Sequence, residues 1–328
     1  MANLKRILPG IIGSAIIAGF AWWLGRLYPI IGGPVFGILL GMLFAVRRRS
    51  GLFDAGIGFT SKKILQAAIV LLGFEMNLVS IIQVGSQSLL LMIFTLAAAF
   101  LTAWLVGRWL KVEGKLATLI GVGTAICGGS AIAAVSPVIR AEDKDIAYAI
   151  STIFLFNILA VFLFPAAGHL LHLNDTGFGM WAGTAINDTS SVVAAGYSYS
   201  DAAGAFATIV KLTRTLMIIP ISMFLALYMT RKETSGGNFN FVKVFPWFVV
   251  GFLAASVLGT VGIVPATLGV ILGQAGKFMI VMAMVAIGLN TNLGQMIKSG
   301  PVPIILGLCT WAMVAFTSLV VQHVMGIW

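Results

Sequence analysis

Four ionisable side chains interrupt the long apolar stretches of this chain. Glu75, Asp188, Lys211 and Arg214 each fall near the middle of a hydrophobic segment. A charge at the centre of a bilayer costs roughly 2.5–3.5 kcal/mol on insertion scales, so such residues are paired or face an aqueous interior. Because their charges sum to zero, a structural ion-pair network is one interpretation. The other is that they meet a ligand, and this is the interpretation we favour.

Two short polar segments resemble each other and lie inside apolar stretches of spanning length. They read GTAICGGS at residues 123–130 and GTAINDTS at residues 183–190. Freed backbone groups find no water in lipid, so paired helix interruptions of this kind are typical of a transporter binding site. A half-helix that begins after each break presents free N–H groups, which suit an oxyanion. Capping of the half-helix by its own side chains is the alternative.

These patterns give a set of candidate site residues. Lys211 and Arg214 are three apart and share one helical face, where they could supply charge to a small anion. Asp188 and Glu75 are the candidates for coupling a proton or a sodium ion. The predicted substrate-binding residues are Lys211, Arg214, Thr124, Gly128, Gly129, Ser130, Asn187, Thr189, Ser190, Asn77 and Asn292.

Composition places the whole chain in a membrane. Of the 328 residues, 59% are hydrophobic and only 9% are charged, against about 25% charged in a soluble domain. Apolar stretches of about 20 residues recur along the chain. We therefore predict an all-α polytopic membrane protein with about eleven transmembrane helices, the third at residues 64–82, in a single transporter domain covering residues 1–328.

The net charge of +10 is a topology signal. Most of the twenty basic residues fall in alternate loops between the predicted spans. The excess of lysine and arginine in cytoplasmic loops predicts a bacterial inner (plasma) membrane protein with a cytoplasmic amino terminus and a periplasmic carboxyl terminus. We expect no nucleic-acid partner, since the basic residues are spread over these loops.

A longer internal repeat relates the two ends of the chain. The segment LGFEMNL at residues 72–78 resembles IGLNTNL at residues 287–293, which aligns Asn77 with Asn292. The spans that carry these segments run in opposite directions, so the pattern is typical of inverted repeats in carriers. A count of spans gives residues 116–139 and 177–196 the same direction, which leaves open whether one of them is re-entrant.

Signatures of enzymes and of metal sites are missing from the sequence. It contains no glycine-rich nucleotide loop, no HExxH and no GxSxG segment. The two cysteines, Cys127 and Cys309, lie in apolar spans and form no metal-ligand spacing. We expect no enzyme activity, no cofactor and no metal. The expected partners are a small anion, a coupling proton or sodium ion, the lipid bilayer and, as an open alternative to the monomer, a second copy in a homodimer.

The chain resembles the YeiH-like sulfate exporter family of bacterial inner-membrane proteins. The resemblance rests on residues 72–78, 121–138 and 183–191 and on the segment KLTR at 211–214. It implies a carrier of about eleven helices in a superfamily with bile-acid symporters and sodium/proton antiporters, which agrees with the two broken helices predicted above. The implied substrate is a small oxyanion such as sulfate, sulfite or a sulfonate.

One feature of the resemblance supports a second interpretation. Asn187-Asp188 is similar to the pair at which sodium/proton antiporters carry their cation. The basic pair in the next span favours an anion here. The alternative is a cation antiporter in which Asp188 binds the ion and Lys211 or Arg214 is its partner.

Overall fold

The chain folds into α-helices, as its composition predicts. A computed structural model describes residues 2–28, 32–45, 51–218, 220–221, 223–225, 247–291 and 300–328, and no strand occurs among them. In chain order the helices are α1 (Ala2–Leu27), α2 (Gly33–Ala45), α3 (Asp54–Phe59), α4 (Leu65–Gly73), α5 (Leu78–Trp109), α6 (Gly114–Ala125), α7 (Gly129–Val135), α8 (Asp143–Leu170), α9 (Asp175–Ala185), α10 (Thr189–Tyr199), α11 (Asp201–Leu216), α12 (Trp247–Thr260), α13 (Ala266–Asn290) and α14 (Pro301–Met325).

Several of these helices are long and apolar enough to cross a bilayer. Among the described residues there are six, which lie at Arg6–Leu27, Asp54–Gly73, Leu78–Trp109, Lys144–Leu170, Ala266–Asn290 and Pro301–Met325. Large apolar side chains are exposed along them, including Ile16 at 70%, Ile93 at 62% and Phe316 at 64%. Such a surface is unfavourable in water and stable against lipid. The expected multi-pass helical membrane protein is confirmed, while the count of eleven spans and the orientation of the termini stay predictions.

The helices form two compact units, each assembled from separated parts of the chain. The first unit comprises Met1–Gln83, Val193–Ala205 and Trp247–Asn292, and the second comprises Val84–Val192, Phe206–Pro246 and Leu293–Trp328. The single transporter domain over residues 1–328 stays a prediction.

The first unit is held together by close helix packing. Its core contains Ala18 and Ala21 of α1 and Val281 and Val285 of α13. Helices α2 and α13 approach at Gly41, where a β-carbon would lie 3.0 Å from the Gly288 Cα. Small residues at such crossings let backbones pack closely within a membrane.

The second unit contains both predicted helix breaks. Its core joins α5, α9 and α11 through Leu91, Met180 and Val210. The rings of Phe164 and Trp181 stack with centroids 4.2 Å apart, and the Trp181 Nε1 donates to the Ala315 oxygen of α14 at 3.1 Å. Helix α9 is therefore anchored before its break.

The predicted third span is wrong in its position. Residues 64–82 do not form one helix, because α4 ends at Gly73 and α5 begins at Leu78. A continuous helical stretch instead covers Asp54–Gly73, with a π-helical turn at Thr60–Ile64. Thr260 Oγ1 accepts a hydrogen bond from the Leu78 N–H at 2.9 Å and so caps the start of α5. Glu75 therefore lies in a connection between helices and not near the middle of a span.

Candidate functional site

The first break separates α6 from α7 at residues 126–128. Ile126 leaves helical geometry with φ −116° and ψ −93°, and Gly128 follows with φ +69° and ψ −129°. A β-carbon is strained in that second conformation, so glycine is the residue that fits it. The Gly128 N–H turns back to the Gly123 oxygen at 2.9 Å. The predicted interruption at Gly128-Gly129 is present, and α7 starts at Gly129.

We expect Gly128→Ala to destabilise the protein. Its positive φ would cost a side-chain-bearing residue roughly 1–3 kcal/mol. The matched control is Gly129→Ala, since a β-carbon there lies in ordinary contact with Phe154 Cε2 at 3.6 Å. Thermal unfolding of the purified variants should show a lower midpoint for Gly128→Ala alone. Equal midpoints for both variants would contradict the assigned backbone strain.

The second break separates α9 from α10 at residues 186–188. Ile186 is extended, with φ −81° and ψ 134°. Asp188 Oδ2 then accepts hydrogen bonds from the Ser190 N–H at 3.0 Å and from the Ser190 hydroxyl. A carboxylate in this position caps the new helix and complements its dipole. The Asp188 N–H in turn donates to Asn157 Oδ1 of α8 at 3.2 Å.

The two breaks lie side by side in the second unit. A β-carbon built on Gly128 would be 3.4 Å from the Asp188 Cβ. Helix α11 packs across α9 nearby, because a β-carbon on Gly183 would meet the Val210 side chain at 2.7 Å. Lys211 and Arg214 follow Val210 on α11 and therefore reach both interruptions.

Lys211 bridges the two breaks through its ammonium group. Its Nζ donates to the Ile126 oxygen at 2.7 Å and to the Ile186 oxygen at 2.9 Å, and the side chain is fully buried. Each acceptor stands just beyond the carboxyl end of a half-helix, α6 or α9, where backbone oxygens lack helical partners. The lysine therefore satisfies both helix ends and complements their negative dipole ends.

Arg214 makes a second bridge one helical turn further along α11. Its Nε donates to the Ala125 oxygen at 2.6 Å and its Nη2 to the Thr124 oxygen at 2.5 Å, while Nη1 donates to the Thr184 oxygen. The residue is fully buried. The fork of the guanidinium suits several acceptors at once. Arg214 therefore holds the ends of α6 and α9 together.

The charges at the breaks do not balance. Lys211 and Arg214 are both 0% exposed, and neither forms an ion pair with a carboxylate in the described part of the chain. Asp188 is the carboxylate that acts on Lys211, and it is partly exposed. With all three groups ionised, the region carries a net charge of +1. A buried excess of one charge is costly unless a counterion offsets it.

Several buried polar atoms beside the breaks have no hydrogen-bond partner. Both amide atoms of Asn187 are unpaired, as are Asn157 Nδ2 and Thr124 Oγ1. These residues are between 0% and 3% exposed. Unpaired buried groups cost about 1–3 kcal/mol each, so they indicate a water, an ion or a ligand. Asn187 lies in the second break, Thr124 is in the last turn of α6 beside the first break, and Asn157 reaches the second break from α8, so the unpaired atoms gather around the breaks and favour a binding role.

The structure divides the predicted site residues between the two units. The second unit holds most of them, namely Thr124, Gly128, Gly129, Ser130, Asn187, Asp188, Thr189, Ser190, Lys211 and Arg214. Ser130 is exposed, whereas Thr189 and Ser190 are buried. The roles of these residues in binding stay predictions. What the structure adds is that Lys211 and Arg214 direct N–H groups at main-chain oxygens.

The remaining predicted residues lie in the first unit or outside the described residues. Glu75 Oε1 is 3.6 Å from Lys277 Nζ, which also pairs with Asp201 at 3.1 Å. Asn77 Oδ1 accepts from the Val79 N–H at 2.8 Å and so caps the start of α5. Asn292 lies outside the described residues. A cavity of about 290 Å³ beside Lys277 is lined by Trp22, Arg26 and Tyr197 among others. Glu75 therefore belongs to a charged cluster of the first unit.

Asn157 is a site candidate that the predicted set does not contain. Its Oδ1 holds the second break through the Asp188 N–H, and its Nδ2 is unpaired. A single amide inside an otherwise apolar stretch is the available sequence signal, and it fits an ordinary interhelical hydrogen bond equally well.

Comparison with known proteins places the chain in one family. The profile described as conserved hypothetical protein 698 matches residues 9–307. A UPF0324 membrane protein of Fusobacterium nucleatum is 44% identical over 98% of this chain and 99% of its own length. One of Streptococcus pyogenes serotype M3 is 49% identical over both full lengths, and one of Clostridium tetani is 43% identical over 99% of each chain.

No solved structure matches the chain. The relatives are named as membrane proteins, and the described helices include six of membrane-spanning length. The chain therefore belongs to the family described as conserved hypothetical protein 698 and is a multi-pass membrane protein.

Proposed function

We propose that the protein is a secondary transporter, acting as an exporter, of a small oxyanion such as sulfate, sulfite or a sulfonate. The observation that carries the proposal is the excess of buried basic side chains over carboxylates at the two adjoining helix breaks. Lys211 and Arg214 are fully buried, whereas Asp188, the carboxylate beside them, is partly exposed. An anion bound there would offset the excess. The resemblance to the YeiH-like sulfate exporter family points to the same class of substrate.

The cations act on the anion mainly through their field. Lys211 and Arg214 donate N–H groups to main-chain oxygens at the ends of α6 and α9. Other residues must therefore supply most of the hydrogen bonds to the ligand. Thr124, Asn157 and Asn187 have buried donors without a partner, and these are available to contact an oxyanion directly. In this arrangement the two basic side chains hold the breaks together, and the neutral polar side chains contact the ligand.

Transport would proceed by alternating access and would need no chemical step. Interrupted helices at a buried site are typical of carriers that expose the site to each side in turn. The sequence carries no nucleotide-binding loop, so a gradient of the substrate or of a coupling proton or sodium ion would drive the process. A homodimer remains a prediction from the sequence.

Binding is tested first by thermal unfolding of the purified protein with sulfate, sulfite, taurine, chloride and sodium. A ligand that binds only the folded state stabilises it by RT ln(1 + [L]/Kd) and so raises the unfolding midpoint as its concentration exceeds its dissociation constant. We expect an increase with one of the oxyanions and a smaller one with chloride at equal ionic strength. Uptake of the radiolabelled anion into proteoliposomes then tests transport. A midpoint that no oxyanion raises would contradict the proposal.

A second candidate is a cation antiporter centred on Asp188. The observation in its favour is that buried oxygens of Asn187 and Thr124 lack partners close to a partly exposed carboxylate. Carbonyl, hydroxyl and carboxylate oxygens are the ligands that hard cations prefer. A midpoint raised by sodium and by no oxyanion would support this candidate over the first.

A further inference from the structure

Lys211 has as many acceptors as a neutral amine has N–H donors. Its Nζ donates to two main-chain oxygens, those of Ile126 and Ile186, and the described residues offer it no third. An ammonium group has three N–H donors, whereas the neutral amine has two and a lone pair. Lys211 can therefore lose a proton and keep both of the hydrogen bonds that bridge the breaks.

The charges around Lys211 balance without a charge on the lysine itself when the site is empty. The titratable and charged groups that act on Lys211 are Arg214 on its own helix, Cys127 in the first break and Asp188 in the second. With Asp188 ionised and Arg214 charged, the region is neutral if Lys211 is an amine and carries +1 if it is an ammonium. Buried excess charge is costly, and an arriving anion removes that cost.

We propose that Lys211 carries the proton that couples transport. When the oxyanion enters, one proton from water on the open side adds to the Nζ lone pair and forms the third N–H bond. That bond breaks when the site opens on the other side and the anion leaves, returning the proton to water there. No electrons are transferred, and each cycle moves one sulfate dianion and one proton in the same direction. The net charge moved is −1, so an inside-negative membrane potential favours export.

The other nearby groups are poorly suited to this role. Arg214 does not release its proton in proteins, so it supplies a constant charge. Asp188 Oδ2 already accepts hydrogen bonds from the Ser190 N–H and hydroxyl, with which it caps the start of α10. The inference rests on the proposed anion transport and names the residue that links the anion to the proton gradient.

Calorimetry of sulfate binding tests the inference. Sulfate stays a dianion around neutral pH, so protons taken up on binding come to the protein. Titrations in two buffers with different ionisation enthalpies give the number of protons taken up per sulfate bound. We expect about one proton per sulfate for the wild type and none for Lys211→Arg, whose side chain is always charged. A merely structural role would change the affinity but not this ratio.

Matched variants identify the proton carrier. Lys144→Arg changes an exposed lysine of the second unit and should leave the ratio at the wild-type value. Asp188→Asn should also keep it. Proton uptake that persists in Lys211→Arg, or that disappears only in Asp188→Asn, would overturn the inference. Wild-type sulfate binding without proton uptake would overturn it as well and leave the transport proposal standing, while failure of every oxyanion to bind would remove both.

A measurement on the wild type covers the case in which Lys211→Arg does not fold. Lysine labelled with ¹⁵N at Nζ gives different chemical shifts for the amine and the ammonium. We expect one buried lysine signal to change from the amine to the ammonium position when sulfate is added. A buried signal at the ammonium position both with and without sulfate would overturn the inference.

Discussion

Replacement of Arg214 by alanine should prevent stable folding of the second unit. The guanidinium satisfies the main-chain oxygens of Thr124, Ala125 and Thr184 at the ends of α6 and α9. Alanine would leave these three oxygens buried and unpaired and would open a void at a fully buried position. Removal of one side of a buried charged network typically costs about 3–5 kcal/mol, a large fraction of the stability of most proteins. Size-exclusion profiles and thermal unfolding of the purified variant measure the effect.

Two variants separate the loss of hydrogen bonds from the loss of charge. Arg214→Lys keeps the charge but cannot reach all three oxygens, so we expect an intermediate loss of stability. Arg108→Ala changes an exposed arginine near the end of α5 and should behave like the wild type. Wild-type stability of Arg214→Ala would show that the carbonyls find other partners and would remove the assigned bridging role.

The positions of the helix breaks could be predicted from the sequence because their cause is local. Paired glycines at 128–129 and the amide and carboxylate at 187–188 each fall within an apolar stretch. At the first break, Gly128 permits the φ of +69° that precedes α7. At the second break, Asp188 caps the start of α10 through its own side chain. Both effects depend on residues within a few positions of the break.

The partners of the buried cations could not be predicted, because they depend on tertiary packing. The spacing of Lys211 and Arg214 places them on one helical face but does not say what that face meets. In the structure it meets the carbonyl ends of α6 and α9, which carry no sequence signal. Main-chain oxygens are present at every residue, so only the packing of α11 against α9 selects these particular ones.

The position of Glu75 was predicted wrongly for a different reason. Apolar residues flank Glu75 on both sides, and hydropathy averaged over residues 64–82 therefore resembles a span. The turn after Gly73 depends on the close approach of α12, where a β-carbon on Gly73 would lie 3.0 Å from the Ala255 Cβ, and on the Thr260 cap of α5. Both partners are far away in sequence, and the ion pair with Lys277 follows from the turn.

Replacement of Asp188 by asparagine should strengthen sulfate binding, which is the opposite of its effect on a cation site. Asparagine is close to aspartate in shape and can still accept from the Ser190 N–H, so the start of α10 keeps its cap. What changes is the removal of a negative charge beside the anion. Unit charges roughly 8 Å apart interact by about 2 kcal/mol at an effective dielectric constant of about 20. We therefore expect the dissociation constant for sulfate to fall by roughly tenfold or more.

The sign of this change decides between the two candidate functions. In a cation antiporter Asp188 binds the ion, so the same variant would lose its response to sodium and gain nothing with sulfate. Asp175→Asn makes the identical substitution at an exposed position in the first turn of α9 and should leave both responses unchanged. Weaker sulfate binding in Asp188→Asn than in Asp175→Asn would mean that the carboxylate helps to hold the anion, and the account based on excess positive charge would then be wrong. We expect tighter sulfate binding in Asp188→Asn alone, because Lys211 and Arg214 of α11 attract the anion and the Asp188 carboxylate weakens that attraction. The weaker attraction in the wild type lets the anion be released.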